Sequence, residues 1–184
     1  LLRINIKKNN KYNHLLRVAV NKKIISISLR KRPKVKLKFN LKLVNYKRNN
    51  PEFKNLKYQV ILKYLSKMDA STSDIGLCNN KKIFESGTSN ILFVKNDKIF
   101  SPINRIYKGI TFKFFENKLE KIEKKNILIK SLKEYSEIIL IGSGKGVASI
   151  FTINDIKWRR KSLKFYNILL NFYKTEVKKC SIYK

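Results

Sequence analysis

The sequence is short of acid, of arginine and of cysteine. Only 12 of its 184 residues are Asp or Glu, against 43 Lys and Arg, which gives a formal net charge of +31. The two cysteines, Cys78 and Cys180, are too far apart for a CxxC pair and too few for a disulfide framework, which argues against structural zinc and against a stapled fold. No apolar run approaches the roughly 18 residues of a membrane span, and the N-terminus lacks the apolar block of a signal peptide. These absences predict a soluble, cytoplasmic protein with no membrane partner and no metal. Apolar residues nevertheless make up 43% of the chain and aromatics 11%, enough for a sizeable core, so disorder is not the expectation. The chain opens at Leu1 in a basic, polar stretch, as the C-terminal part of a longer protein would.

The charge suggests a polyanion partner, but its make-up argues otherwise. Eight of the basic residues are arginines and 35 are lysines. Bidentate phosphate recognition and base-edge readout favour the planar fork of Arg, whereas Lys can simply coat a solvated surface. The lysines accompany abundant Asn, Ile, Tyr and Phe, all with A/T-rich codons, and genome composition accounts for them better than specific nucleic-acid binding does.

Hydrophobic periodicity predicts an α+β chain. Residues 15–20, 24–28 and 35–44 are β-branched or alternate apolar with Lys, which is strand periodicity. Val60, Ile61, Tyr64, Leu65 and Met68 recur at helical spacing and predict a helix over about 58–68. Short apolar runs at 75–78, 83–84 and 91–94, with Asn79-Asn80 and Asn96-Asp97 as turns, read as hairpin strands. A second helix is expected from Ile110, with Phe112, Phe115, Leu119 and Ile122 on one face. Strands at 137–141 and 147–153 follow, then a C-terminal helix burying Leu163, Tyr166, Leu170, Tyr173 and Val177.

Three turns hold residues able to do chemistry. They are Glu85-Ser86-Gly87-Thr88-Ser89-Asn90, then Lys108-Gly109-Ile110-Thr111, then Gly142-Ser143-Gly144-Lys145-Gly146. The amides of Ile110 and Thr111, at a helix start, could hold a phosphate. The glycine-rich turn satisfies neither G-x-x-x-x-G-K-[ST] nor G-x-G-x-x-G, and as an isolated motif reads as a tight turn between strands.

Taken in order, these motifs resemble those of the fold-type IV, pyridoxal-phosphate-dependent enzymes, the class IV aminotransferase family. Glu85 to Phe93 is similar to the family's glutamate, five-residue step to asparagine and apolar strand. Phe100-Ser101-Pro102 resembles its Thr-Pro, Lys108 to Thr111 its Pro-Gly-Ile-Thr, and Glu137 to Ser143 its acidic residue, apolar strand and Gly-Thr or Gly-Ser turn. The resemblance implies the larger domain of the D-amino acid aminotransferase-like fold over 42–184, with residues 1–41 as the last strands of a small N-terminal domain. It implies pyridoxal 5'-phosphate as cofactor, a homodimer, and a small amino-acid-like substrate.

The resemblance also assigns roles. Lys54 would be the lysine that carries the cofactor, with Lys57 as the alternative, because Arg48-Asn49-Asn50-Pro51 and Phe53-Lys54-Asn55-Leu56-Lys57-Tyr58 are similar to aminodeoxychorismate lyase's Arg-Asn-Pro and Lys-x-Leu-Asn-Arg stretches. Glu85 would face the pyridine nitrogen. Ile110, Thr111 and Ser143 would hold the phosphate, Asn90 would support the Glu85 turn, and backbone at Gly144 would meet the substrate carboxylate. Aminodeoxychorismate lyase is the expected member, with branched-chain or D-amino acid aminotransferase as the alternative. A basic RNA-associated protein is the competing class, and it leaves the ordered motifs unexplained. A third reading keeps the fold without catalysis, favoured by Phe112 where the family has an arginine after Gly-Ile-Thr.

Overall fold

The structure, a computed structural model, describes residues 14–55 and 57–179. It divides into two compact units between Arg32 and Pro33. The first is a hairpin of β1 (His14–Val20) and β2 (Ile25–Lys31), antiparallel with Leu16 opposite Leu29, Val18 opposite Ile27 and Val20 opposite Ile25. Because strand side chains alternate, these six apolar residues share one face, and all six are exposed. The side-chain oxygen of Asn21 closes the turn by accepting from the amides of Lys23 and Ile24 at 2.8 and 2.7 Å.

The second unit is built on a mixed sheet. In chain order its elements begin with β3 (Phe39–Asn45), helix α1 (Gln59–Leu65), β4 (Ser73–Asn79), β5 (Lys82–Ser86), β6 (Asn90–Lys95) and β7 (Lys98–Pro102). Helix α2 (Ile110–Lys118), β8 (Ile122–Lys125), β9 (Ile127–Leu128), β10 (Glu137–Gly142), β11 (Gly146–Ile153), β12 (Trp158–Arg159) and helix α3 (Lys164–Lys179) follow. The strands run in the order β8-β7-β6-β10-β11-β3-β4-β5-β9, with β12 also on β11. The expected domain boundary at 41/42 falls inside β3, which is tied to its unit by parallel pairing with both β11 and β4.

Both faces of the sheet centre are covered, so its strands are continuous apolar runs rather than alternating ones. Phe39, Ile91, Phe93, Ile138, Leu140 and Ile150 point to one side. Leu92, Val94, Ile139, Ile141 and Val147 point to the other, where they pack with Phe112 and Phe115 of α2 and Leu169 of α3. The two tight hairpins close through left-handed residues, Asn80 and Lys81 (φ 49° and 63°) and Asn96 and Asp97 (φ 50° and 55°). This is the turn form whose twist matches paired strands. The glycine-rich turn joins β10 to β11 with Gly142 opposite Gly146, so it is a strand-to-strand turn.

Two expectations about helix faces are corrected. Ile122 lies in β8, because α2 ends at Lys118 and Leu119 is already extended. Along α3 the buried residue is Leu169, with Phe165, Tyr166, Leu170 and Tyr173 partly covered, whereas Val177 is exposed and Leu163 precedes the helix. Cys180 lies outside the described residues; Cys78 is buried, and its thiol donates to the Val44 carbonyl at 3.2 Å.

The start of α3 is held by Glu137, whose carboxylate is fully buried. It accepts from the amides of Phe165 and Tyr166 at 2.9 and 2.8 Å and from the Ser162 hydroxyl at 2.9 Å. An anion here also meets the positive end of the helix dipole. Glu137→Ala leaves these donors unpaired in the interior and is expected to cost about 2–4 kcal/mol of unfolding free energy, read from urea melts.

Candidate active site

The site is assembled around one buried arginine. Arg48 is 5% exposed and donates in three directions: from Nε to Glu85 Oε1 at 2.5 Å, from Nη2 to the Pro51 carbonyl at 2.6 Å, and from Nη1 to the Phe53 carbonyl at 3.5 Å. The loop after β3 is thereby wound around the guanidinium. Phe53 N donates to Asn50 O at 3.1 Å, and Asn50 adopts φ 47° to make the bend. Lys54 leaves this loop at the rim of a cavity of about 170 Å³, its ammonium 5.7 Å from the centre of the Tyr107 ring.

Glu85 reaches the cavity because β5 is irregular. Leu77 pairs with Glu85 but Cys78 pairs with Ile83, so Phe84 has no partner on β4. Such a bulge re-aims the neighbouring side chains. Phe84 goes to the core on the helix side, and the Glu85 carboxylate, 6% exposed, meets Arg48 with one oxygen and the Tyr107 amide, at 3.1 Å, with the other. Burial pushes the Glu85 carboxyl above its ordinary value, while the hydrogen bond and charge of Arg48 and the Tyr107 amide pull it back.

The turn after β5 packs tightly. The Ser86 hydroxyl accepts from the amides of Thr88 and Ser89, and the Gly87 amide donates to Ile75 O. A side chain at Gly87 would sit 2.8 Å from Ile75 Cγ1, so glycine is required by the close approach. Asn90 then joins two loops, donating to Tyr107 O at 2.7 Å and accepting from Gly109 N at 3.2 Å. It thus fixes the approach to α2 rather than the Glu85 carboxylate itself.

Helix α2 begins at Ile110 after an extended Gly109, with no side-chain cap, and its first intrahelical bond is Lys113 N to Gly109 O. The amides of Ile110, Thr111 and Phe112 therefore have no acceptor within the helix, and they lie at the positive end of its dipole. Ile110, Thr111, Gly142 and Ser143 all line the cavity.

The fold thus brings Lys54, Glu85, Asn90, Ile110, Thr111 and Ser143 to one cavity. Gly144 and Lys57 are not among its lining residues. Arg48 and Tyr107 were not singled out by sequence reasoning; Arg48 stands in the Arg-Asn-Asn-Pro stretch, and an isolated arginine before a proline loop in a lysine-dominated chain was the available signal. Among the described residues no group of three or more His, Cys, Asp or Glu is placed to hold a metal. No described helix is long and apolar enough to cross a membrane.

The model of the family Amino-transferase class IV matches residues 1–153. The chain belongs to the class IV aminotransferases. No curated protein sequence matches it. Among solved structures it resembles a protein assigned as 4-amino-4-deoxychorismate lyase from Legionella pneumophila, at 15% identity and a TM-score of 0.69 over 83% of this chain and 61% of that one. A branched-chain aminotransferase from Thermoproteus uzoniensis, solved with norvaline, gives 16% and 0.67, over 88% of this chain and 60% of that one. An aminotransferase from Brucella abortus bound to PLP gives 18% and 0.63, over 83% and 60%. This class IV chain therefore spans about 60% of the length of the solved relatives, and at these identities the likeness is one of fold.

Stability should carry the mark of the Arg48–Glu85 pair. With its carboxyl raised by burial, folded Glu85 retains a proton that the unfolded chain has released, so stability falls as pH climbs from the ordinary carboxylate value through the raised one. Arg48→Met removes the opposing charge and raises the carboxyl further. The loss relative to the parent is expected to widen from about pH 4 to pH 7, to roughly 3–5 kcal/mol. Urea melts across that range check this, and a loss independent of pH would contradict it.

Proposed function

We propose that this chain supplies the cofactor-binding machinery of a pyridoxal 5'-phosphate enzyme acting on an amino-acid-like substrate, with Lys54 as the lysine that carries the cofactor. The observation behind the reading is the convergence on one cavity of a rim lysine, a buried carboxylate with its arginine, and a helix N-terminus with free amides. The donor set suits the cofactor's three ends: an amine for its aldehyde, a carboxylate for its ring nitrogen, and amides with a hydroxyl for its phosphate.

When bound, pyridoxal phosphate supplies a ring that accepts the electrons left on a substrate carbon. Around it, this chain's residues bind, orient and move protons. The Lys54 amine would be the group that moves a proton from the substrate carbon. Glu85 holds a proton on the ring nitrogen, and Arg48 favours the ionised carboxylate that does so. The amides of Ile110 and Thr111 and the Ser143 hydroxyl would receive the phosphate, and Asn90 keeps the start of α2 in place.

Within the family we favour aminodeoxychorismate lyase, which releases pyruvate to leave 4-aminobenzoate for folate synthesis. The Arg48 to Pro51 approach and the three-residue step from Lys54 to Lys57 support this over branched-chain or D-amino acid transamination. The same reading takes the enzyme as a cytoplasmic homodimer.

In the full chain with added pyridoxal phosphate, a visible absorption band fixed by borohydride onto the Lys54 peptide is expected. Lys54→Ala should abolish it and Lys57→Ala should retain it; an intact band in Lys54→Ala would remove Lys54 from the role. Pyruvate formed from aminodeoxychorismate without an amino acceptor identifies the lyase, whereas turnover that requires a 2-oxo acid identifies an aminotransferase.

A further inference from the structure

Lys145 lies in the turn between β10 and β11, yet its side chain is only 5% exposed. Its ammonium donates to Asp74 Oδ2 at 2.9 Å and to Thr88 Oγ1 at 2.8 Å, and sits 5.5 Å from the centre of the Phe39 ring. Asp74, on β4, is fully buried. The same oxygen of Asp74 accepts from Thr88 Oγ1 at 2.6 Å and Ser86 Oγ at 3.1 Å, and its other oxygen accepts from Ile75 N at 2.7 Å. One buried ion pair therefore joins three places: the start of β4, the turn 86–89 and the turn 143–145.

The two turns also touch directly. A side chain at Gly142 would stand 3.0 Å from Ser89 Oγ and 3.5 Å from Thr88 O. Thr88, Ser89, Gly142 and Ser143 line the same cavity as Ile110 and Thr111 at the start of α2. Anything that lets the turns part would change the spacing between Ser143 and the α2 amides. A buried lysine in a glycine-bearing turn is an expensive way to achieve stability alone, because removing charge from water costs several kcal/mol per ion before pairing offsets it.

We propose that Lys145 is a positioning residue that clamps the turn 86–89 to the turn 143–145 through Asp74 and Thr88, and so sets the width of the part of the cavity that receives an anionic phosphate. It acts through its neighbours and touches no ligand. The proposal rests on the cofactor reading for the identity of the phosphate, but the clamp itself can be measured without cofactor.

The experiment compares the full chain with Lys145→Met and with the double variant Asp74→Asn/Lys145→Met. Hydrogen exchange of the cofactor-free proteins reads the clamp, pyridoxal phosphate titration reads the cavity, and thermal melts read stability. Lys145→Met should speed exchange in peptides covering both turns and weaken pyridoxal phosphate about ten-fold each, the effect of losing one charge-assisted hydrogen bond. The absorption band of the bound cofactor should not move. Because Lys145→Met also strands the Asp74 carboxylate, its Tm falls; the double variant removes that charge and should recover Tm while exchange stays fast and binding weak. If the double variant also regains parental exchange and affinity, Lys145 only neutralises Asp74 and the clamp is overturned; exchange unchanged in Lys145→Met overturns it too. If the parent takes up no pyridoxal phosphate, the cofactor reading fails, and the exchange comparison alone still decides for or against the clamp.

Discussion

The buried pair of Arg48 and Glu85 is the constraint on which the arrangement of this cavity depends. A guanidinium can donate along several directions in one plane, and here it binds a carboxylate from β5 and two carbonyls of its own loop at once. A lysine could not hold that geometry, since its single point charge has no fixed fork. Ion pairs withdrawn from water add little net stability, because desolvation offsets most of their attraction. What this one adds is position: the loop bearing Lys54 has few apolar anchors of its own, and the arginine ties it to the edge of a rigid sheet. The bulge in β5 completes the arrangement by turning Glu85 inward while Phe84 serves the core.

Much of the sheet could be read from the chain, because local chemistry and long-range packing agree. The Asn-bearing hairpin turns fall where the strand runs end, although the first uses Asn80 and Lys81 rather than Asn79 and Asn80 as its left-handed residues. The helix start at Gly109-Ile110 was legible for the same reason: extended glycine followed by an apolar face. The parallel insertion of β3 between β11 and β4 was not, since no local pattern specifies a partner more than a hundred residues away. Nor was the end of α2, where Ile122 continues the helical spacing but pairs as a strand with β7 instead.

The candidate site was legible only as an ordered set of motifs. Single residues gave little: Lys54 is one of 35 lysines, and nothing in the composition separates it from Lys57. The residues given no role by the sequence, Arg48, Tyr107 and Lys145, owe their importance to partners distant in sequence, Glu85 for the first two and Asp74 for the third. In a chain so rich in positive charge, a buried cation looks like any other until the fold shows what surrounds it. Acidic residues are informative for the converse reason. There are only 12, and Asp74, Glu85 and Glu137 are each buried against a specific set of donors.

The apolar face of the β1–β2 hairpin bears on how the protein behaves in solution. Leu16, Val18, Val20, Ile25, Ile27 and Leu29 offer a contiguous oily strip beside paired strands, a surface on which copies of a chain tend to cohere. A net charge of +31 keeps such copies apart, but only over the reach of an unscreened field, about 30 Å at 0.01 M salt and about 3 Å at 1 M. Colloidal behaviour should therefore run contrary to ordinary salting-in: dispersed in dilute buffer, and cohering as ionic strength strips the repulsion away.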